Sequence, residues 1–126
     1  MSYLLQHTVR PTSAGRARRG PRVDERLVLN RPQFDGGAHV RVFVEDTSGR
    51  KRRFRRTPPV PRIRLRITDC DNQIALEFSV ESPELRENSL HKIETLLGAL
   101  RRFRDGLEAE AELYAARERR REDHTR

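Results

Sequence analysis

The sequence predicts an α+β fold: a four-stranded antiparallel sheet, five-stranded if one edge segment is counted, then one long C-terminal amphipathic helix, behind a disordered basic N-terminal arm. Three features require it. Over residues 40–44, 63–67 and 74–80 apolar residues recur at every second position, the period of a half-buried strand. From Leu85 to Tyr114 the apolar period lengthens to that of a helix, with no proline after Pro83. Before residue 26, large apolar side chains are too few to offset the chain entropy of ordering the segment. Three regions follow: an arm over 1–25, a sheet-plus-helix domain over 26–107, and a charged helical extension over 108–126.

The arm holds Arg10, Arg16, Arg18, Arg19 and Arg22 among Pro, Gly, Ser and Thr. It is Arg-bearing like a mitochondrial presequence, but Pro11, Gly15 and Gly20 interrupt an amphipathic helix, and a flexible basic arm fits better. Leu27-Val28-Leu29 can form the short edge strand ahead of Arg31-Pro32, and Gly36-Gly37 then breaks the chain.

In the first regular strand Val40, Val42 and Val44 point to one face while Arg41, Phe43 and Glu45 point to the other. Asp46-Thr47-Ser48-Gly49 reads as a turn. A returning strand is expected over 50–56, where Phe54 is the only apolar residue; charge of that density belongs on a sheet edge. Thr57-Pro58-Pro59-Val60-Pro61 is a stiff connector. Arg62 to Thr68 alternates strictly, with Ile63, Leu65 and Ile67 opposed to Arg62, Arg64 and Arg66. Asp69-Cys70-Asp71-Asn72 turns the chain into a last strand bearing Ile74, Leu76, Phe78 and Val80.

Ser82-Pro83-Glu84 supplies an N-cap hydroxyl, a proline at the first helical position and an acid at the positive end of the helix dipole. Stepping 100° per residue gathers Leu85, Leu90, Ile93, Leu96, Leu97, Leu100, Phe103, Leu107 and Tyr114 into one stripe. A strand of seven residues spans about 23 Å, so the sheet can cover the stripe from Leu85 to Leu107 and no further. The extension beyond is expected to pair with a second copy through Leu107, Ala111, Leu113 and Tyr114, making a homo-dimer.

Composition sets the limits. Of 126 residues, 34% are hydrophobic and 37% charged. That supply is thin for a core over the whole length, so apolar surface must be buried against a partner or left in disordered chain. Net charge is +8. Residues 1–66 carry 17 basic and 5 acidic side chains, whereas 67–126 carry 10 and 14. Separate surfaces of opposite sign favour one basic face directed at a polyanion. Of the 27 cations 25 are Arg, which suits phosphate but is equally the mark of a GC-rich genome.

If the apolar face of the sheet meets the helix, the other face presents Arg41, Phe43, Arg53, Arg55, Arg62, Arg64 and Arg66. Guanidinium forks bind phosphate, and both Arg planes and an aromatic ring stack on bases, so single-stranded DNA or RNA is the expected partner. No segment resembles a recognition helix for duplex. The competing explanation is a sheet face kept soluble by arginine.

Catalytic residues, cofactors and a metal site are not expected, nor is a small-molecule substrate. His7, His39, His91 and His124 share no ligand spacing, and the calcium-loop beginning at Asp69 lacks both the glycine at its sixth position and the closing Glu. Cys70 is the only cysteine, which points to a reducing, cytoplasmic setting. No apolar run approaches the length of a membrane span. A second functional class is an adaptor or assembly protein, phage or bacterial, working through the long helix.

The order of elements over about residues 38–115, four strands then a helix behind a basic arm, is similar to that of single-stranded nucleic-acid binders of the Whirly and Pur kind. The resemblance is one of topology, without a shared signature, and it implies strand binding on the sheet.

Overall fold

The computed structural model describes residues 20–34, 36–49 and 58–125. It contains β1 (Val23–Val28), β2 (His39–Val44), β3 (Ile63–Asp69), β4 (Asn72–Leu76) and α1 (Pro83–His124). The strands form one antiparallel sheet in the order β1-β2-β3-β4. This is the expected α+β architecture, and the chain divides into two units, Met1–Arg86 and Glu87–Arg126.

The register sorts the sheet residues into two faces, because directly opposed residues of antiparallel strands point the same way. Val23, Val44 and Ile63 form one row of the apolar face. Val42, Leu65 and Leu76 share the next row with Glu25, and Leu27, Val40, Ile67 and Ile74 complete a third. A slip of one residue in any strand would turn these side chains to the other face, so the apolar pattern fixes the register.

Three details of the sheet differ from expectation, one being that β4 ends at Leu76, short of the Phe78 and Val80 that alternation assigned to the last strand. β1 opens at Val23, inside the stretch read as arm, and pairs along β2 from Val23↔Val44 to Val28↔His39. The other edge of β2 pairs with β3, not with a strand over 50–56. Pairing Val40, Val42 and Val44 with Ile67, Leu65 and Ile63 makes continuous apolar rows, which a segment with Phe54 alone cannot do. Residues 50–57 themselves lie outside the described residues, as do residues 1–19 of the arm.

The turns follow from local chemistry. Between β1 and β2, the Leu29 amide donates to the Ala38 carbonyl at 2.8 Å, and Gly37 takes φ +64°. After β2, Asp46 Oδ1 accepts from the Ser48 amide at 2.9 Å and from Ser48 Oγ at 2.6 Å. This is an aspartate-stabilised turn. Between β3 and β4, Cys70 sits at φ +52°, the one non-glycine residue with positive φ among those described.

α1 begins as its sequence demands. Ser82 Oγ accepts from the Leu85 amide at 3.1 Å, and the Ser82 carbonyl accepts the first helical bond from Arg86 at 3.0 Å. Arg86 Nη1 also donates to the Val80 carbonyl at 3.1 Å. The helix continues for 42 residues, about 63 Å at the usual rise.

Burial is sparse. Ala38 is the only buried apolar residue among those described, at 4% exposure, and no large side chain is fully enclosed. Along α1, Leu90, Leu100, Phe103 and Leu107 are 52–68% exposed, whereas Ile93 and Leu96 are half-buried.

Candidate nucleic-acid interface

The face opposite the apolar rows is basic, and the register shows how. Arg26 of β1 stands directly across from Arg41 of β2, which stands across from Arg66 of β3. Neighbouring strands are about 4.8 Å apart, so three guanidinium stems spring from a line of about 10 Å perpendicular to the strands. One row along lie Asp24, Phe43 and Arg64; on the other side lie Val28, His39, Thr68 and Gln73. The register continues past the strand ends, where the Glu45 amide donates to the Arg62 carbonyl at 2.8 Å. Arg62 therefore joins the same face.

Five of the residues expected to contact a strand are thus brought together: Arg41, Phe43, Arg62, Arg64 and Arg66. The other two, Arg53 and Arg55, lie outside the described residues. Arg26 belongs to the face and the sequence reading missed it. The signal was present, since Arg26 precedes Leu27 in the alternation Val23, Glu25, Leu27, but Asp24-Glu25-Arg26 reads locally as polar loop.

Some charges of the face are already engaged. Arg41 Nη2 lies 3.7 Å from Asp24 Oδ1. Arg62 Nη2 lies 3.7 Å from Glu45 Oε2, and Glu45 Oε1 accepts from the Arg62 amide at 3.0 Å. The Arg62 guanidinium also covers the Phe43 ring at 5.5 Å from its centroid. With its side chain 72% exposed, Arg62 gains no more than about 1 kcal/mol from such an ion pair, so it is free to exchange Glu45 for another anion. Arg26, Arg64 and Arg66 form no ion pair among the described residues. Arg26 and Arg64 are exposed, and Arg66 is half-buried.

Direct opposition of like charges is unfavourable, by up to about 1 kcal/mol per pair. The Arg26–Arg41–Arg66 row concentrates positive charge at the centre of the sheet, with Asp24 beside Arg41 offsetting part of it.

Other chemistry has less to stand on. No group of three or more His, Cys, Asp or Glu residues suited to a metal ion occurs among the described residues. An open concavity of about 420 Å³ is lined by Val60, Arg64, Leu76, Phe78 and Glu81 among others; acidic and basic side chains share it, and it is wide open to solvent. Among the described residues no helix is long and apolar enough to cross a membrane. The proposed oligomer residues Leu107, Ala111, Leu113 and Tyr114 all lie on α1 and are exposed.

No protein family, no curated protein and no solved structure matches this chain. The functional reading therefore rests on the geometry of the face.

Proposed function

We propose that this chain is a non-enzymatic, cytoplasmic nucleic-acid-binding module that holds a single strand across its sheet, chiefly through phosphate. The observation that supports it is the Arg26–Arg41–Arg66 row. Three cations aligned across the strands offer a track for a polyanion whose charges are regularly spaced. Arg64 and Arg62 widen the track, and Phe43 lies beside it as a stacking surface once Arg62 moves off its ring. A flexible single strand can follow a flat sheet in this way, with bases reaching the ring while phosphates meet the guanidinium groups. Duplex would need an element shaped for a groove.

Fluorescence anisotropy with single- and double-stranded probes over a salt series tests the reading. For single strands the logarithm of affinity falls with the logarithm of salt at a slope of about −0.7 per phosphate contact. Arg26→Ser/Arg41→Ser/Arg66→Ser should therefore flatten the slope by about 2 and weaken binding to every sequence alike. Equal affinity of the variant and the natural chain, or no affinity in the natural chain at low salt, would remove the proposal.

A further inference from the structure

Two carboxylates stand on the arginine face, and they are engaged differently. Both oxygens of Glu45 meet Arg62: Oε2 lies 3.7 Å from the guanidinium and Oε1 accepts from the backbone amide at 3.0 Å. Asp24 is held more loosely. Its Oδ1 lies 3.7 Å from Arg41 Nη2, beyond hydrogen-bond length, and it has no other polar partner among the described residues. Its side chain is 27% exposed, so part of its hydration is lost. On a face that meets phosphate, such a carboxylate lowers affinity for every strand alike, unless a base on that strand satisfies it.

The register sets what lies beside it. Asp24 is directly opposite Phe43, and Phe43 is directly opposite Arg64. An acceptor, an aromatic ring and a forked donor thus stand in one line across β1, β2 and β3, their stems spanning about 10 Å. Arg64 is exposed and forms no ion pair among the described residues. The row of Arg26, Arg41 and Arg66 lies two residues along the strands, about 7 Å away, a distance that the sugar of one nucleotide bridges between phosphate and base. A nucleotide with its phosphate on Arg41 thereby brings its base to Phe43, which offers a stacking face once Arg62 leaves it.

A base stacked there presents an edge to Asp24. A carboxylate accepts hydrogen bonds and donates none, so it selects by the donors that edge holds. Adenine and cytosine each present one amino group beside a ring nitrogen that is itself an acceptor. Thymine and uracil present one ring N–H between two carbonyl oxygens. Among these bases guanine alone sets two donors side by side, N1–H and the 2-amino group, to match the two oxygens of one carboxylate. Another of its edges carries O6 and N7, the pair that an arginine fork binds, and Arg64 stands across the ring from Asp24.

We propose that Asp24, Phe43 and Arg64 form a subsite for an unpaired guanine. Phe43 stacks on the base, Asp24 reads its N1–H and 2-amino donors, and Arg64 takes O6 and N7. The subsite rests on strand binding by the arginine face and adds to it the base that is read.

The test uses the full chain and fluorescence anisotropy at one low salt concentration. The probes are short thymine strands with a central guanine, inosine or adenine, or with no substitution. Inosine differs from guanine only in lacking the 2-amino group. The guanine probe should bind about tenfold more tightly than the inosine probe, the loss expected for one hydrogen bond to a charged group, and should also exceed the adenine and all-thymine probes. Asp24→Asn has the same shape. It should bring guanine and inosine within about twofold of each other and bind the all-thymine probe at least as tightly as the natural chain does, since a negative charge has left the face. Phe43→Leu, with its fold checked by circular dichroism, should weaken every probe by about fivefold or more. Binding of guanine and inosine probes with equal affinity would overturn the subsite and leave the arginine track standing. A guanine preference that survives in Asp24→Asn, or undiminished binding by Phe43→Leu, would do the same. Absence of binding to every probe would remove track and subsite together.

Discussion

Cys70 occupies a backbone conformation that its side chain resists. At φ +52° in a two-residue turn between Asp69 and Asn72, the Cβ crowds the following carbonyl, at a cost of about 1–2 kcal/mol for a residue other than glycine. The thiol is free and exposed. Cys70→Gly relieves the crowding and gives back part of the gain through the greater entropy of the unfolded glycine. The net expectation is a stabilisation of up to about 1 kcal/mol in a urea titration, and Cys70→Val should destabilise the hairpin instead. A Cys70→Gly variant that unfolds at lower urea would show that the turn needs something from the sulfur.

At the scale of elements, the arginine row puts stability and binding in opposition. Arg66 stands between Arg41 on β2 and Ala75 on β4. Replacing it by Glu turns one unfavourable cross-strand pair into a favourable one, worth up to about 1 kcal/mol. Arg66→Glu should thus leave the free protein equally or slightly more stable by thermal melt, and lower its affinity for single strands more than Arg66→Ser does. Loss of stability in Arg66→Glu would instead identify the arginine stem as packing material, since Arg66 is partly withdrawn from solvent.

The same element scale shows what could be read in advance. β2 and β3 were legible because Val40, Val42, Val44 and Ile63, Leu65, Ile67 alternate without a fault. The helix start was legible because Ser82 and Pro83 each have one good use there. β1 was shortened because Glu25 takes an apolar-row position between Val23 and Leu27, so the period is broken where it mattered. The strand expected over 50–56 was placed by the nearness of the Asp46–Gly49 turn, yet pairing is decided by apolar rows, and β3 supplies them. Of the candidate face, the β2 and β3 arginines followed from alternation alone. Arg26 did not, because a side chain joins a row only through register between strands, which is a long-range property.

For the whole molecule, the decisive quantity is how little apolar surface the described residues enclose. Among them Ala38 is the only buried apolar residue, and a homo-dimer of the kind the sequence leads one to expect would add burial to offset chain entropy. The apolar stripe of α1 is one such surface. If two copies pair through it, stability becomes a function of concentration, since anything that binds the folded state alone raises its apparent stability by mass action. A tenfold rise in protein adds about 1.4 kcal/mol to the unfolding of a dimer, which for a domain of this size moves the thermal midpoint by several degrees. Melts followed by circular dichroism should therefore climb steadily with concentration for the natural chain. Those of Leu107→Glu should begin lower and stay fixed. Midpoints of the natural chain that do not move over a hundredfold range would mean that one copy folds by itself, with its helix held by something other than its own kind.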